Sequence, residues 1–241
     1  MPTATALSHN LPIIAYHRSP LSQKFGVPRQ PNLVAIKSRL EFIMPYATPD
    51  AFLGIEQYSH LWVMWQFHHN KPQDVFRPQV RPPRLGGNDK MGVFATRSMY
   101  RPSALGLSVV GLERVEVVCG QVVLHIVGAD MIDGTPIVDV KPYLPYVDSI
   151  QGASSGMVNK PQDKTTNYSE LASQQFDQLT KQGLLQAQDK ALIQALIAQD
   201  PRPAYRQQEI DVLFVMRYGA VDVGFVMNEQ GELLIERFTT V

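Results

Sequence analysis

The 241 residues predict a mainly-β fold, a closed or nearly closed β-barrel carrying a small C-terminal α+β domain. Three observations lead there. Short stretches rich in Val, Ile, Leu and aromatics recur from Leu11 to about Val147, with period-two alternation in places; Pro, Gly and Asn break them up; and amphipathic helical spacing is confined to the part after residue 166. Parallel strands need crossovers of about a dozen residues or more, and none is evident among the early strands, so a barrel is favoured over a parallel sheet.

In order, strands are expected at Leu11–Tyr16, Arg39–Met44, Leu61–Phe67, Leu107–Val118 and Gln121–Val127, the last two joined by a tight turn at Cys119-Gly120. Gly128–Tyr143 reads as a strand, turn, strand junction. Gln151–Thr166 holds few apolar residues together with Gly152, Ser154, Ser155, Gly156 and Pro161, and reads as a linker. Asn167-Tyr168-Ser169-Glu170 has the spacing of a helix start, a capping Asn167 followed three residues later by Glu170, and Ala172, Phe176 and Leu179 fall on one face of the helix that follows. A second helix is expected over Asp189–Gln199, stopped by Pro201 and Pro203, then strands at Asp211–Tyr218, Val221–Met227 and Glu232–Phe238. The expected organisation is therefore a barrel over 1–150, a linker over 151–166 and an α+β unit over 167–241.

Composition is that of an ordinary globular chain, 44% apolar and 18% charged. Runs such as Leu61–Trp65 fall far short of the roughly 18 to 20 apolar residues of a membrane helix. Met1–Asn10 lacks the cationic and apolar regions of a secretory signal, so a cytosolic location is expected. The single cysteine, Cys119, supports neither an internal disulfide nor a zinc site and reads as structural. Net charge is zero, but it is unevenly spread: Arg18, Lys24, Arg29, Lys37 and Arg39 follow one another without an acid, and Arg77, Arg81, Arg84, Lys90, Arg97 and Arg101 share their stretch with Asp89 alone. Such stretches suit phosphate contacts, or are simply solvated loops.

The usual signatures of dinucleotide-binding folds, P-loop enzymes and zincins are absent. Gly152-Ala153-Ser154-Ser155-Gly156 has the letters of a hydrolase nucleophile elbow but sits in the linker instead of between a strand and a helix. His60, His68 and His69 are the only histidine cluster. On a strand His68 and His69 would point to opposite faces, so no metal is expected. Gly92–Pro102 and the following Ser103–Ser108 combine arginines, hydroxyls and glycines, a cradle for a carboxylate or phosphate or else a solvent-facing turn. Asp130, Asp133 and Asp139 suit several roles: accepting backbone hydrogen bonds beside the turn, binding ribose hydroxyls, balancing a sulfonium charge, taking a proton, or pairing with Lys141. Spacing does not choose among these.

Several segments, in order, resemble motifs of the TsaA-like (YaeB) family of S-adenosylmethionine-dependent tRNA methyltransferases: Phe25-Gly26-Val27-Pro28-Arg29-Gln30, Ser59-His60-Leu61-Trp62, Arg81-Pro82-Pro83-Arg84-Leu85-Gly86-Gly87, Gly92–Arg97, Arg101-Pro102, Gly106-Leu107-Ser108, Asp133-Gly134-Thr135-Pro136 and Asp139-Val140-Lys141-Pro142-Tyr143. Ala198–Tyr205 resembles the C-terminal unit of full-length bacterial members. The resemblance implies a β-barrel methyltransferase, a homodimer with S-adenosylmethionine near the subunit interface, and methylation of the exocyclic amine of threonylcarbamoyladenosine beside the anticodon of threonine tRNA. It further implies a cofactor pocket of Pro28, Arg29, Gln30, His68, His69, Arg97, Leu107, Asp133, Gly134, Thr135 and Pro136. Asp133 or His69 is the expected proton acceptor, with the modified base's own carboxylate a third candidate; Arg29 or Arg97 is the expected partner of a carboxylate, and Arg81, Arg84 and Arg101 are the expected phosphate contacts. The rivals are a non-catalytic RNA-binding barrel and a small-molecule methyltransferase of the same fold.

Overall fold

A computed structural model describes residues 10–71, 75–82, 89–156 and 162–241. Its strands, in chain order, are β1 (Ala15–Arg18), β2 (Lys37–Phe42), β3 (His60–Gln66), β4 (Gln79–Val80), β5 (Met91–Gly92), β6 (Leu105–Val118), β7 (Gln121–Val127), β8 (Pro136–Pro142), β9 (Thr166–Tyr168), β10 (Phe214–Tyr218), β11 (Val221–Met227) and β12 (Leu233–Thr240). The helices are α1 (Pro145–Asp148), α2 (Glu170–Lys181) and α3 (Asp189–Ala198). Six strands close an antiparallel barrel in the order β1-β2-β7-β6-β3-β8, with β1 pairing β8. The fold class is the one the strand pattern predicts.

Period-two alternation fills the barrel. Leu61, Val63 and Trp65 of β3 and Val122, Leu124 and Ile126 of β7 are buried, while their neighbours face outward. The long strand β6 serves two partners: Leu105–Gly111 pairs with β3 and Gly111–Val118 with β7. A register shift between Leu112 and Arg114 leaves Glu113 as an extra residue, which bends the strand around the barrel. Cys119 and Gly120, with φ of 50° and 78°, form the two-residue turn that follows, a loop whose twist matches its strands.

The pairing registers have one consequence that decides where function sits. At one mouth of the barrel β1, β3 and β7 end while β2, β6 and β8 begin. The connections 19–36, 67–104 and 128–135 therefore all leave the same mouth, and they contain most of the expected site residues. The last of them also plugs it, because Ala129 and Met131 belong to the barrel core.

The second unit is a four-stranded sheet, β10-β11-β12-β9, with β9 parallel to β12 and α2 packed on the sheet. Ala172, Phe176 and Leu179 are buried on α2, as their spacing predicts. Its cap is Ser169, whose Oγ accepts from the Ala172 N–H at 3.0 Å, and not Asn167, because residues 166–168 are taken up by β9. Leu21, Val34 and Ile36, from the first long connection of the barrel, lie in the core of this second unit. Those three residues tie the two units together across more than a hundred positions of sequence. The strand expected at Leu11–Tyr16 lies later, at β1, since Pro12 has no N–H to give a ladder.

Candidate active site

The barrel mouth is built around a buried indole. Trp65 donates from Nε1 to Ser108 Oγ at 2.9 Å, and Ser108 donates to an Asp130 carboxylate oxygen. This placement requires Gly106: a Cβ there would lie 2.3 Å from Trp65 Cε2. Burial pushes the Asp130 carboxyl above the usual aspartate range, while the Ser108 hydroxyl and the nearby Arg97 charge hold it down. Arg97 in turn donates to the amide oxygen of Gln30. Gln30, Arg97, Ser108 and Asp130 thus bring the three mouth connections and the start of β6 to one place.

His68 and His69 open the connection that leaves the same mouth after β3. β3 ends at Gln66, so the two histidines sit in a turn with ring centroids 4.2 Å apart, and the opposite-face arrangement expected of a strand does not hold. Burial first, then the neighbouring His69 ring and the Lys24 charge, lower the pKa of His68, which is therefore neutral at pH 7. Lys24 donates to the His69 carbonyl at 2.9 Å and to Asn70, and Asn70 donates to the Met99 carbonyl at 3.1 Å. Among the described residues no three His, Cys, Asp or Glu side chains gather into a metal-binding group.

The Asp133–Pro136 turn is held from both sides. Its Asp133 carboxylate accepts from the Ser19 N–H at 3.0 Å, and its own N–H donates to the Leu21 carbonyl at 2.7 Å. Gly134 N–H donates to the His17 carbonyl at 2.8 Å, and the buried Thr135 hydroxyl donates to the Ile132 carbonyl at 2.8 Å. His17, fully buried, donates from Nδ1 to that same carbonyl at 3.0 Å.

Other expected residues lie elsewhere. Arg29 reaches toward the second unit and donates from one guanidinium nitrogen to the carbonyls of Asp200 (3.4 Å) and Arg202 (3.2 Å), while Pro28 beside it is buried. Leu107, half exposed, faces outward from the barrel wall into a groove of about 370 Å³ shared with Trp62, Met64, Asp139, Leu144 and Val147. Arg81 is exposed after β4, and Arg101 donates to the Thr96 carbonyl at 2.7 Å. Arg84 lies outside the described residues.

The first cationic stretch is largely compensated, because Arg18 and Arg39 both pair with Glu41 and Lys37 pairs with Glu113. Of the second stretch, Arg77, Arg81, Lys90, Arg97 and Arg101 have no salt-bridged carboxylate among the described residues, so it keeps its positive charge. In sequence alone Trp65 carries no pocket signal, while Ser108 stands only within the cradle over 92–108 and Asp130 only among three similar acids. The available signal was the Gly106-Leu107-Ser108 motif, whose serine alternates inward, and the nearness of Asp130 to Asp133.

Two family profiles match this chain, one described as the tRNA-methyltransferase O N-terminal domain over residues 16–149 and the other as its C-terminal domain over 161–237. The chain belongs to the tRNA-methyltransferase O family. That is the assignment to which the ordered motifs lead. Among relatives of the family, the tRNA (adenine(37)-N6)-methyltransferase of Escherichia coli (strain K12) is 45% identical over 80% of this chain and 81% of its own length. The enzyme of the same name from Eikenella corrodens is 43% identical over 76% of this chain and 98% of its own. A Pseudomonas aeruginosa protein whose name proposes an S-adenosylmethionine-dependent methyltransferase is 40% identical over 90% of this chain and 92% of its own. The crystal structure of TrmO from Pseudomonas aeruginosa superposes with a TM-score of 0.78 at 30% identity, covering 97% of this chain and all of that one.

Proposed function

We propose that this protein is an S-adenosylmethionine-dependent tRNA (adenine-N6)-methyltransferase acting on threonylcarbamoyladenosine beside the anticodon of threonine tRNA. The observation that carries the reading is the convergence of Gln30, Arg97, Ser108 and Asp130 at one barrel mouth, beside an unneutralised cationic stretch, in a chain of this family.

The donor set fits the methyl donor. Asp130 is a partly buried carboxylate with no salt-bridge partner among the described residues, suited to ribose hydroxyls or a nearby cationic sulfur. Arg97, aimed by Gln30, suits the carboxylate of the methionine portion. His68, neutral, offers a hydrogen bond without adding positive charge beside a sulfonium. When bound, S-adenosylmethionine supplies an electrophilic methyl group.

The amine to be methylated is conjugated with both purine and carbonyl and is a poor nucleophile until it loses its proton. We assign that proton to Asp133 in preference to His69. The Asp133 carboxylate is oriented before substrate arrives by the Ser19 N–H, and its backbone is held by the Leu21 carbonyl, whereas His69 is exposed on a turn. Arg81 and Arg101, with Arg84, serve tRNA phosphates. We further propose a homodimer in which a second copy covers the outer groove around Leu107, since Leu107, Tyr146, Val147 and Ile150 are exposed apolar side chains in or next to it. In this reading the barrel over 1–150 carries the chemistry and the unit over 167–241 braces its first connection, in the cytosol where tRNA is modified.

Transfer of labelled methyl from S-adenosylmethionine to tRNA by the purified protein tests the reading. An RNA-binding barrel without catalysis would bind tRNA and leave it unlabelled. A small-molecule methyltransferase would bind the donor but show no salt-sensitive tRNA binding.

A further inference from the structure

The connection 67–104 carries a feature that the pocket does not use. Phe76 and Phe94, either side of the β4–β5 ribbon, stack on each other with centroids 6.1 Å apart and planes 26° from parallel. Both are exposed, Phe94 at 70% and Phe76 at 55%. Two large apolar rings held together in water are a surface awaiting a partner. Phe94 lies three residues before Arg97, so the pair stands on the connection that supplies the barrel mouth.

The surroundings select the partner. Arg77 follows Phe76 and Arg81 and Lys90 adjoin the ribbon strands in sequence, all exposed and none in a salt bridge among the described residues, while the acids near them in sequence are Asp74 and Asp89. A protein interface concentrates charge-depleted apolar surface at its centre. Flat rings on a ribbon whose cations outnumber its acids in sequence instead match a polyanion with exposed bases. Single-stranded RNA loops are recognised by stacking unpaired bases on aromatic side chains while cations follow the backbone.

We infer that the Phe76–Phe94 pair is a stacking platform for an unpaired base of the RNA substrate, with Arg77, Arg81 and Lys90 meeting the phosphates on either side. This rests on the tRNA reading above and goes beyond it by naming the side chains that touch a base other than the one modified. Because every base has a π-face, the platform contributes affinity and register more than sequence choice.

The test is binding of full-length threonine tRNA by the whole protein, comparing wild type with Phe94→Ala, Phe94→Leu and Phe94→Trp across a salt series. Alanine and leucine are expected to weaken the affinity about tenfold alike, with tryptophan retaining it, because stacking requires a ring and not only apolar bulk. The slope of log affinity against log salt should stay at the wild-type value in these variants, whereas Arg77→Ala should reduce it by about one. Unaltered calorimetric affinity for S-adenosylmethionine reports that each variant is folded. Leucine binding as well as phenylalanine would overturn the inference, as would a Phe94→Ala protein that binds tRNA normally while its sedimenting mass falls, the mark of a protein interface. If wild type fails to bind tRNA, the functional reading fails with it; if wild type binds and the variants match it, only the platform falls.

Discussion

The Ser108 hydroxyl donates its hydrogen to Asp130 while accepting one from the Trp65 indole at 2.9 Å, so a carboxylate at the barrel mouth is oriented by a side chain that faces the barrel interior. Asp130→Asn should weaken S-adenosylmethionine binding about tenfold or more, the range for losing a charged acceptor, with tRNA affinity retained. Calorimetry checks this. Asp130 also titrates above the ordinary aspartate range, and its ionised form is lost as pH falls through that raised value. The Ser108 donor opposes the rise, so Ser108→Ala should move the acid limb of the pH profile for kcat/KM of the methyl donor to higher pH.

Arg97 and Gln30 act as a pair. Removing either leaves the other misdirected, so the losses in donor affinity for Arg97→Ala and Gln30→Ala should not add in the double variant. Additive losses would separate Gln30 from the site. Arg97→Lys should recover little, since an ammonium lacks the planar fork.

Gly106→Ala places a methyl group inside the Trp65 ring. The indole must shift away from Ser108, which predicts a stability loss of about 1–3 kcal/mol, visible as a lower Tm, together with weaker donor binding in the same variant. Normal Tm and normal affinity would show that the indole is not held where the hydrogen bond requires.

His17 predicts the acid behaviour of the fold. Burial lowers its pKa from 6.5 to about 4, and its Nε2 has no hydrogen-bond partner among the described residues to receive a second proton. Between these two values the unfolded chain binds a proton that the folded chain refuses. Stability is therefore fully present above pH 6.5 and falls by about 3 kcal/mol as pH drops toward the folded value. His17→Asn keeps a donor near Ile132 and should flatten the dependence of Tm on pH in that window.

Much of the barrel was legible because its strands alternate locally: Val122, Leu124 and Ile126 announce β7, and Cys119-Gly120 its turn. α2 was legible for the same reason at helical period, through Ala172, Phe176 and Leu179. What stayed hidden depends on residues far apart in the chain. No local pattern shows Leu21, Val34 and Ile36 joining the C-terminal core, or Arg29 reaching the carbonyls of Asp200 and Arg202 instead of lying free for a ligand. The cap moved from Asn167 to Ser169 because β9 pairs with a strand more than sixty residues on. Asp130 was one of three similar acids until β6 brought Ser108 to it. Likewise, pairing with acids on neighbouring strands, such as Arg18 with Glu41, is what separates the quenched cationic stretch from the open one.

Mass spectrometry of nucleosides from threonine tRNA, fully threonylcarbamoylated, after incubation with the protein and S-adenosylmethionine decides whether the barrel mouth carries out methyl transfer. One added methyl is expected on threonylcarbamoyladenosine, none on tRNA lacking that modification, and a strongly reduced yield with Asp130→Asn. An unmethylated nucleoside from the fully modified substrate with wild-type protein would contradict methyl transfer there.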